Sequence, residues 1–353
     1  MQPIQLIPVS SSTSFPGDEN RFPYLFSRDY LRHLRRTVPV RAWWAQSANG
    51  ALLPVAVRKR KIFRIGQLLN PPLREGAELP AQEEQEFLEA LIEKLRRTGT
   101  CDRLAQPTTN CVFQSAPRHA TTCPFGSYRL TLRDRTEDEI FATFHADYRN
   151  KIRAAIRQGA EVRFGRDQLP IFHQLHAATM TQTGMPHESL DAMSELYDVL
   201  APTDRVLCAV VYHENRPLGG VFVPWTRHSG HYTHGGSGED VHPVGAVRLL
   251  HWEVIRKLHA QGVGYYDFVG ARLSSVEGTK LEFIQRFKAR FGTELVRGQM
   301  WKCDVNPWKA RLYDSLVKLR RVLPGGSPPG TGDIIDQELR KFAAPSAESA
   351  ASA

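Results

Sequence analysis

The chain has 353 residues, of which 41% are hydrophobic and 24% are charged. At this length we expect two hydrophobic cores, because a single domain commonly holds about 100 to 200 residues. No apolar run approaches the roughly 18 to 20 residues that cross a bilayer, and Met1–Ser14 lacks the charged-then-apolar order of a signal peptide. The sequence therefore argues against a membrane-spanning protein and predicts a cytoplasmic one.

The net charge of +9 and the pI of about 9.4 favour an anionic partner. A positive field raises the local concentration of phosphates and acidic surfaces around a protein. Nucleotide-linked sugars, lipid-linked pyrophosphates, transfer RNA and the anionic inner membrane leaflet all fit this charge. A basic protein without such a partner is the alternative.

The cysteines predict buried thiols. Their number is odd and no C-x-x-C pair occurs, which argues against a zinc site and against a disulfide framework. The five positions are Cys101, Cys111, Cys123, Cys208 and Cys303.

Two stretches of the sequence follow the same order of elements, about 163 to 166 residues apart, which predicts a duplicated domain and not an array of short repeats. In each stretch two strand patterns flank a turn, and a helical pattern ending at a glycine precedes a further strand, a plan typical of an α+β fold. The first copy comprises Ala42–Ala45, Asn49-Gly50, Leu52–Val57, Leu91–Leu95, Gly99 and Cys101–Leu104. The second copy comprises Val206–Tyr212, His213–Arg216, Leu218–Val223, Val254–Leu258, Gly262 and Tyr265–Val269.

A helix start marks the junction between the copies. Thr136–Glu139 forms a capping box, and apolar residues then recur every fourth position, which predicts one continuous amphipathic helix up to Gly159. The apolar positions are Ile140, Phe144, Tyr148, Ile152 and Ile156. We therefore expect a first domain over residues 1–135 and a second over 136–323. Residues 324–353, rich in Gly, Pro, Ser and Ala, predict a largely disordered tail in which only Ile334–Phe342 has a helical pattern.

A further helix is predicted from Asn306-Pro307, with the asparagine as cap and the proline in the first turn. Its apolar residues share one side and its basic residues cover the rest. Such a helix packs on its own domain or lies on an anionic membrane. The apolar set is Trp308, Leu312, Leu316, Leu319 and Leu323, and the basic set is Lys309, Arg311, Lys318, Arg320 and Arg321.

The segment Val244–Phe291 carries the most specific pattern in the chain. A helix that is apolar on more than one side, Ala246–Leu258, leads to the strand Tyr265–Phe268 and later to a basic aromatic stretch. Four groups in this order resemble the carboxy-terminal signature of the Fem family, well over residues 136–305 and only in architecture over the first 135. The groups are Leu250-x-Trp252-Glu253-x-Ile255, Gly262, Tyr266-Asp267-Phe268-x-Gly270 and Phe287-Lys288-x-x-Phe291-Gly292.

Fem-type enzymes consist of two tandem acetyltransferase-like (GNAT) domains and pass an amino acid from aminoacyl-tRNA to an amine of a muropeptide precursor. The resemblance implies two such domains here, each with a mixed, mainly antiparallel sheet flanked by helices. It implies transfer of an aminoacyl or acyl group to an amine of a nucleotide- or lipid-linked cell-envelope precursor. An acyl-CoA-dependent N-acyltransferase of polysaccharide biosynthesis and a non-catalytic RNA-binding protein are the alternatives.

The resemblance places the Phe-Lys pair of the family on Phe287 and Lys288. A lysine cation stabilises the negative charge that develops when an amine attacks an ester; the alternative is an exposed lysine on a basic helix. Asp267 lies at a strand end, where ligand sites concentrate in open sheets. It acts either as a general base for the amine or as a cap of the following loop.

Cationic residues are the first candidates for binding an anionic substrate. Arg149 and Arg153 are four residues apart and share one helix face, from which they can grip a pyrophosphate. Lys151 lies on the same basic helix, for which a solvated charged face is the alternative. Arg272 and Lys280, in the polar loop after the strand, are further candidates.

Three closely spaced histidines are predicted not to bind a metal, and one of them is predicted to line a cleft. Because side chains alternate along a strand, the odd separations of His228, His231 and His234 put neighbours on opposite faces, where they cannot share an ion. Tyr232 and His234 share a face and can line a cleft beside Gly235-Gly236.

We expect no tightly bound cofactor, and a donor that is aminoacyl-tRNA in preference to acyl-CoA. Acetyl-CoA enzymes of this fold bind the pyrophosphate at a glycine-rich helix start. The corresponding stretch Val241–Ala246 has Pro243, which lacks an amide, and Gly245 as its one glycine. The expected acceptor is a nucleotide- or lipid-linked sugar or muropeptide, and transfer RNA and the inner membrane leaflet, through peripheral contact, are further partners.

Overall fold

A computed structural model describes residues 3–10, 12–238, 242–274, 276–322 and 332–343. The predicted hairpins and helices appear in both halves of the chain. The first half contains β1 Ile4–Pro8, α1 Arg28–Thr37, β2 Val40–Ser47, β3 Ala51–Arg60, β4 Phe63–Leu68, β5 Leu73–Arg74, β6 Ala77–Glu78, α2 Ala81–Thr98, β7 Arg103–Leu104 and β8 Thr121–Thr131.

The second half repeats the plan of hairpin, helix and strand and ends in two further helices. The α+β class is thereby confirmed. Its elements are α3 Glu137–Thr143, α4 Ala146–Arg157, β9 Glu161–Phe164, α5 Leu169–Gln182, α6 Leu190–Leu200, β10 Val206–His213, β11 Arg216–Pro224, β12 Ser229–His231, β13 His234–Ser237, α7 Ala246–Ala260, β14 Tyr265–Asp267, β15 Ala271–Arg272, α8 Lys280–Ala289, β16 Glu294–Asp304, α9 Pro307–Val322 and α10 Ile334–Ala343.

The larger of two sheets runs through both halves in the order β1-β2-β3-β4-β7-β16-β8-β14-β12. Its strands are antiparallel except for the β4–β7 and β12–β14 pairs. The late strand β16 joins the halves, because it pairs with β7 at one end and with β8 along the rest of its length. Strand β8 precedes residue 135, yet its Tyr128 and Leu130 pack in the core of the second half.

The chain leaves the larger sheet between β12 and β13. Strand β12 pairs with β14, whereas β13 pairs with β11 in a smaller sheet of order β13-β11-β10-β9. Helix α7 lies against β10 and β11 of the smaller sheet and contacts α4. Its Leu250, Val254 and Leu258 are fully buried, as expected for the helix predicted to be apolar on more than one side. The end of β14 is thus held where the two sheets diverge.

The helix predicted from Thr136 to Gly159 is interrupted. Helix α3 ends at Thr143, Phe144 is extended, and α4 starts with His145 as its cap, its ring nitrogen accepting the N–H of Asp147. The prediction of one continuous helix was therefore wrong. The periodicity persists because the buried residues of both short helices face the same core, whereas Ile156 is 52% exposed.

The segment after the second core is ordered in part. The helical pattern at Ile334–Phe342 corresponds to α10, whose Ile335 and Glu338 are fully buried. Residues 324–331 and 344–353, for which the sequence also predicts disorder, lie outside the described residues. Among the described residues, no helix has the length and apolar content to span a bilayer.

Helix α9 does not pack through its predicted apolar side. Trp308 is 76% exposed, Leu312 36% and Leu316 46%, while Ala310 is buried and Tyr313 contacts Phe63 with ring centroids 5.1 Å apart. The side chain of Leu319 and residue 323 lie outside the described residues. The predicted apolar side of α9 therefore does not pack on the protein; such packing was one of the two predicted outcomes.

Candidate active site

Lys288 lies in the last turn of α8 and points back to the end of β14. The residue is only 7% exposed, and its Nζ donates hydrogen bonds to the carbonyl oxygens of Val269 and Gly270, the second at 2.8 Å. Burial lowers the pKa of Lys288 to about 8, while Asp267 acts in the opposite direction. An ammonium has three hydrogens, so one remains for a reacting oxygen.

Asp267 ends β14 and is 1% exposed. Its Oδ1 accepts hydrogen bonds from the Ser127 hydroxyl and, at 2.8 Å, from the backbone N–H of Val269. Its Oδ2 accepts one from Arg129 Nε at 3.1 Å. A carboxylate with these donors on both oxygens has little capacity left to take a proton from a substrate, so the geometry favours the capping role over the general-base role.

An aromatic cluster holds α8 against α7 and β14. Phe287 is half-buried, with ring centroids 5.4 Å from His251 and 5.2 Å from Phe291. The neighbouring Gly292 has φ +68°, and a Cβ there would lie 2.7 Å from the carbonyl oxygen of Thr143. Only glycine avoids both the strain and the overlap. The Phe-Lys-x-x-Phe-Gly group is thus one structural unit that fixes the Lys288 ammonium.

A cavity of about 110 Å³ lies between the two halves. Asp267 lines it, whereas Lys288 does not; the negative charge of Asp267 acts to raise the pKa of Lys288, and its Oδ1 binds the N–H of Val269, whose carbonyl accepts from Lys288. Burial lowers the pKa values of His228 and His231 to about 4, so both rings are neutral near pH 7. The cavity is polar and accommodates a small group such as an amine or a few waters. Its other lining residues include Asn70, Glu78, Asn110, Arg129 and Tyr265.

The basic residues of α4 make local contacts. Arg149 donates to the carbonyl oxygens of Ala142, at 2.8 Å, and Phe144. Arg153 lies over the ring of Phe141, 5.2 Å from its centroid. The two arginines share one helix face, as predicted, and this face of α4 packs against α3.

Lys151 forms a separate ion pair, 3.0 Å from Asp147. Asp147 also lies 3.6 Å from Arg290, which follows α8. The start of α4 is therefore beside the end of α8, close to Phe287 and the Lys288 turn.

Three other candidates lie apart from this group. Arg272 donates to Gln337 at 2.7 Å and pairs with the buried Glu338 at 3.4 Å, so it faces α10. Lys280 is exposed at the start of α8. His234 packs on His176 and Phe222 beside α5.

Tyr232 and His234 do not share a face, because the strand expected to carry both is broken between β12 and β13. Tyr232 contacts His251 and Phe268 on the α7 side. A Cβ on Gly235 would overlap the Tyr232 hydroxyl. The aromatic ring therefore fills the space where the sheets diverge.

The start of α7 is covered by α4. A Cβ at Gly245 would overlap the carbonyl oxygen of Lys151 and lie 3.1 Å from the Cβ of Ala155. A helix start binds a pyrophosphate through amides that face the ligand, and here another helix occupies that side. Over His242–Ala246 the residues therefore fit the pyrophosphate of coenzyme A poorly; Val241 lies outside the described residues.

Ser127 and Arg129 are two residues of the candidate site that were not predicted from the sequence; both donate hydrogen bonds to Asp267. They alternate with the apolar Tyr128 and Leu130 on β8, which is a strand pattern with a serine and an arginine on one face. An arginine inside an apolar strand indicates a buried partner, and this signal was present in the sequence. What it could not show is that the partner lies about 140 residues later, at Asp267.

Comparison with known proteins adds a family match. Residues 142–280 match the family model described as an acetyltransferase (GNAT) domain, a segment that ends before Phe287 and Lys288. The crystal structure of FemX is similar with a TM-score of 0.62 and 12% identity, covering 80% of this chain and 92% of that chain. The protein has the tandem GNAT fold. The match to an acetyltransferase domain indicates that the protein is an acyltransferase. At 12% identity, the similarity to FemX shows a shared fold and nothing about the substrate.

Two other solved structures show weaker similarity. The C-terminal domain of a putative lysylphosphatidylglycerol synthetase from Agrobacterium fabrum has a TM-score of 0.49 and 13% identity, over 84% of this chain and 92% of that chain. A tandem GNAT protein from the clavulanic acid biosynthesis pathway has a TM-score of 0.48 and 11% identity, over 86% of this chain and 98% of that chain. No curated protein matches the sequence.

Proposed function

We propose that this tandem GNAT protein transfers an aminoacyl or acyl group to an amine of a nucleotide- or lipid-linked cell-envelope precursor. The observation that carries the proposal is the Lys288 ammonium, buried and fixed by the carbonyl oxygens of Val269 and Gly270 at the end of β14. A buried, oriented cation is what a developing oxyanion needs. The Fem resemblance of the Phe287-Lys288 pair supports the same role.

In the proposed reaction, the neutral amine of the acceptor attacks the carbonyl carbon of the donor ester. The carbonyl electron pair moves to oxygen, and Lys288 stabilises this oxyanion with its third hydrogen. The tetrahedral intermediate then collapses, forming the amide bond and expelling the alcohol of the donor. The proton lost by the attacking nitrogen goes to that leaving oxygen, so no external acid or base is consumed.

We propose that Phe287 and Asp267 position Lys288 and are not proton carriers. Phe287 packs on the buried His251 and Phe291. Asp267 orients the turn through the Val269 N–H and faces the cavity between the halves. This cavity is our candidate for the acceptor amine, because it is lined by the neutral His231, whose Nδ1 has no hydrogen-bond partner among the described residues and can accept one from an amine.

We infer that the donor is an aminoacyl ester in preference to acyl-CoA. The support is the close contact between α4 and the start of α7, where coenzyme A would place its pyrophosphate. Arg149, Lys151 and Arg153 on α4 are the proposed contacts for donor or acceptor phosphates, and the exposed Lys280 for the rim of the site. The acceptor would be met in the cytoplasm or at the inner membrane leaflet.

The test is a transfer assay with the purified full chain. One arm supplies aminoacyl-tRNA and the other acetyl-CoA, each with a uridine-diphosphate-linked or lipid-linked muropeptide as acceptor. Product is detected by mass spectrometry, and binding of each donor by the rise in melting temperature. Lys288→Met is compared with Lys257→Met, an exposed lysine on α7.

We expect product with aminoacyl-tRNA, loss of product in Lys288→Met and full activity in Lys257→Met. Product with acetyl-CoA alone would replace the proposed donor by acyl-CoA. Tight binding of unrelated RNA without product would indicate the RNA-binding alternative. A fully active Lys288→Met variant would remove the proposed mechanism. Mass spectrometry of cell-envelope precursors from cells with and without the protein then identifies the acceptor.

A further inference from the structure

An exposed apolar stripe runs along α9. Trp308, Leu312 and Leu316 are spaced by four residues and are 76%, 36% and 46% exposed. Residues with this spacing lie on one helix face. Single exposed apolar residues are ordinary on protein surfaces, but a row that includes a tryptophan indicates a surface that binds something.

The inner side of α9 fixes this stripe in place. Tyr313 contacts Phe63 of β4, and Arg103 of β7 forms a two-pronged pair with Asp314 at 2.7 and 2.8 Å. Near the helix start, Lys309 lies 3.1 Å from the buried Asp102. These contacts hold the helix against the first half of the protein, with the stripe turned outward.

The turn between β3 and β4 adjoins α9 and is strongly basic. What we call the β3–β4 turn is the end of β3 with the two residues after it, Arg58-Lys59-Arg60-Lys61-Ile62; it is exposed throughout, and Ile62 is 62% exposed. The residue after it is Phe63, which contacts Tyr313 on α9. Two separate elements thus bring cations and exposed apolar side chains to the same region.

A groove of about 930 Å³ lies between this turn and α9. Arg58 and Arg60 line one wall and Arg311 lines the other. The groove also contains carboxylates, but these are paired: Asp304 and Asp314 with Arg103, and Asp333 and Asp336 with Lys302. Within the described part of the chain, no ion pair engages Arg58, Arg60 or Arg311.

We propose that α9 and the β3–β4 turn form a docking surface for an anionic phospholipid membrane. Trp308, Leu312, Leu316 and Ile62 enter the interfacial region, and the basic turn and the groove cations bind lipid phosphates. A membrane suits this surface better than RNA, because three of its four exposed apolar side chains are aliphatic and a single tryptophan does not make the row of aromatic rings on which successive bases stack. Among the described residues, no hydrogen bond, ion pair or ring contact joins Trp308, Leu312, Leu316 or Ile62 to Lys288 or Asp267, so docking and transfer can be tested separately.

The experiment is sedimentation of the purified full chain with two kinds of vesicle. One contains phosphatidylcholine alone, and the other equal parts of phosphatidylcholine and phosphatidylglycerol. We expect binding to the second only, and release at high salt, because at 1 M ionic strength the screening length falls to about 3 Å. Tryptophan emission should shift to shorter wavelength on binding, and this shift should be absent in Trp308→Gln.

Two double variants test the basic and the apolar parts of the surface. Lys59→Gln/Lys61→Gln removes two charges and should weaken vesicle binding by about 30-fold, from about fivefold for each charge. Trp308→Gln/Leu316→Gln should weaken it by at least about tenfold. The matched controls are Arg157→Gln/Arg216→Gln, which removes two exposed charges of the second half, and Ile156→Gln, which removes an apolar residue 52% exposed on α4.

Unchanged vesicle binding in both surface variants would overturn the proposal. If the control variants lost as much vesicle binding as the surface variants, the effect would be one of general charge or apolar content, and the proposal would be overturned. Equal binding of the wild type to both kinds of vesicle would overturn it as well. RNA binding that the surface variants abolish, without vesicle binding, would assign the surface to RNA. Transfer activity toward a soluble acceptor should stay unchanged in all these variants, so a failure of docking is distinguishable from a failure of the proposed chemistry.

Discussion

The Lys288 ammonium nitrogen lies 2.8 Å from the carbonyl oxygen of Gly270, so the end of α8 is fastened to the turn that follows β14. The same ammonium donates to Val269, whose N–H is bound by Asp267. Helix, turn and strand end therefore form one hydrogen-bonded unit. A buried cation without a direct carboxylate partner is costly, and proteins retain such groups mainly at functional sites.

The first prediction concerns Lys288→Met. Burial lowers the pKa of Lys288 from its ordinary value of 10.5 to about 8. The unfolded chain then binds more protons than the folded chain between these values, so the free energy of unfolding rises with pH across this range, by on the order of 1 to 3 kcal/mol. Denaturant unfolding at pH 7, 8.5 and 10 should show this rise in the wild type and a smaller one in Lys288→Met.

The activity of the same variant separates catalysis from stability. We expect transfer to fall by about 100- to 1,000-fold, the usual cost of removing one oxyanion donor. The exposed Lys257→Met serves as the control for both measurements. A variant that loses the pH dependence of stability and keeps its activity would mean that Lys288 is a structural lysine.

The second prediction concerns Asp267→Asn. The change removes the charge that faces Arg129, whose remaining carboxylate partner, Glu78, is 45% exposed in its side chain. We expect a loss of roughly 2 to 4 kcal/mol in the free energy of unfolding, because a buried guanidinium loses its buried partner. The exposed Asp198→Asn, which breaks the Arg166 pair at the surface, should cost under about 1 kcal/mol.

A pH profile of turnover separates the two roles of Asp267. If it positions the turn, Asp267→Asn lowers turnover and leaves the shape of the profile unchanged, and Ser127→Ala has a smaller effect of the same kind. Loss of the acidic limb of the profile in Asp267→Asn alone would instead identify a general base.

Local patterns were enough to predict much of the fold. The Asn49-Gly50 turn fixes the β2–β3 hairpin, because glycine readily adopts the positive φ at which this turn closes; Gly50 has φ +84°. Gly99 ends α2 in the left-handed conformation, as a glycine after a periodic segment predicts. These features depend on neighbours in sequence, and so the sequence alone indicates them.

Long-range pairing was not predictable in the same way. The register of β16 joins residues about 165 to 181 positions apart with β8 and about 200 positions apart with β7, and no local pattern encodes a partner at that separation. The break at Phe144 escaped prediction because the buried residues keep their period across it. At the site, the family resemblance predicted Phe287 and Lys288 as candidates. Only the structure shows how far they are buried and that Lys288 binds the carbonyl oxygens of Val269 and Gly270.

The third prediction concerns Glu84, a carboxyl 2% exposed in the first half. It accepts hydrogen bonds from the Ser115 N–H at 2.8 Å and the Ser115 hydroxyl at 3.0 Å. Burial raises the pKa of Glu84 from 4.5 to about 7, against the opposing effect of these bonds. The folded chain binds more protons than the unfolded chain between these values, so this group makes stability fall as pH rises from 4.5 to 7.

Glu84→Gln keeps an acceptor for Ser115 and removes the charge. We expect it to raise the free energy of unfolding at pH 8 by on the order of 1 to 3 kcal/mol, with little change at pH 4.5. Urea unfolding at the two pH values measures this difference. The surface variant Glu93→Gln should show neither effect, and an equal destabilisation of Glu84→Gln at both pH values would mean that its hydrogen bonds matter more than its charge.

The fourth prediction concerns acid sensitivity and the buried His251. Burial lowers the pKa of His251 to about 3, and those of His228 and His231 to about 4, from an ordinary 6.5. Below pH 6.5 the unfolded chain therefore takes up protons that the folded chain does not, and stability falls as pH drops toward 4. Each histidine should contribute on the order of 1 to 3 kcal/mol to this loss.

His251→Phe isolates one of these contributions. The Nε2 of His251 is buried without a hydrogen-bond partner in the described part of the chain, so phenylalanine removes an unsatisfied polar atom while preserving the contacts with Phe268, Phe287 and Phe291. At pH 7 we expect a stability within about 1 kcal/mol of the wild type, because the gain from removing the unsatisfied Nε2 is opposed by the larger ring and by the loss of the 3.3 Å hydrogen bond between Nδ1 and the Tyr266 hydroxyl. Between pH 6.5 and 4 the variant should lose less stability than the wild type, whereas the exposed His119→Gln should follow the wild type. An unchanged acid slope in His251→Phe would show that this imidazole finds a proton in the folded state, and the aromatic cluster behind Phe287 would then be more open to water than its packing indicates.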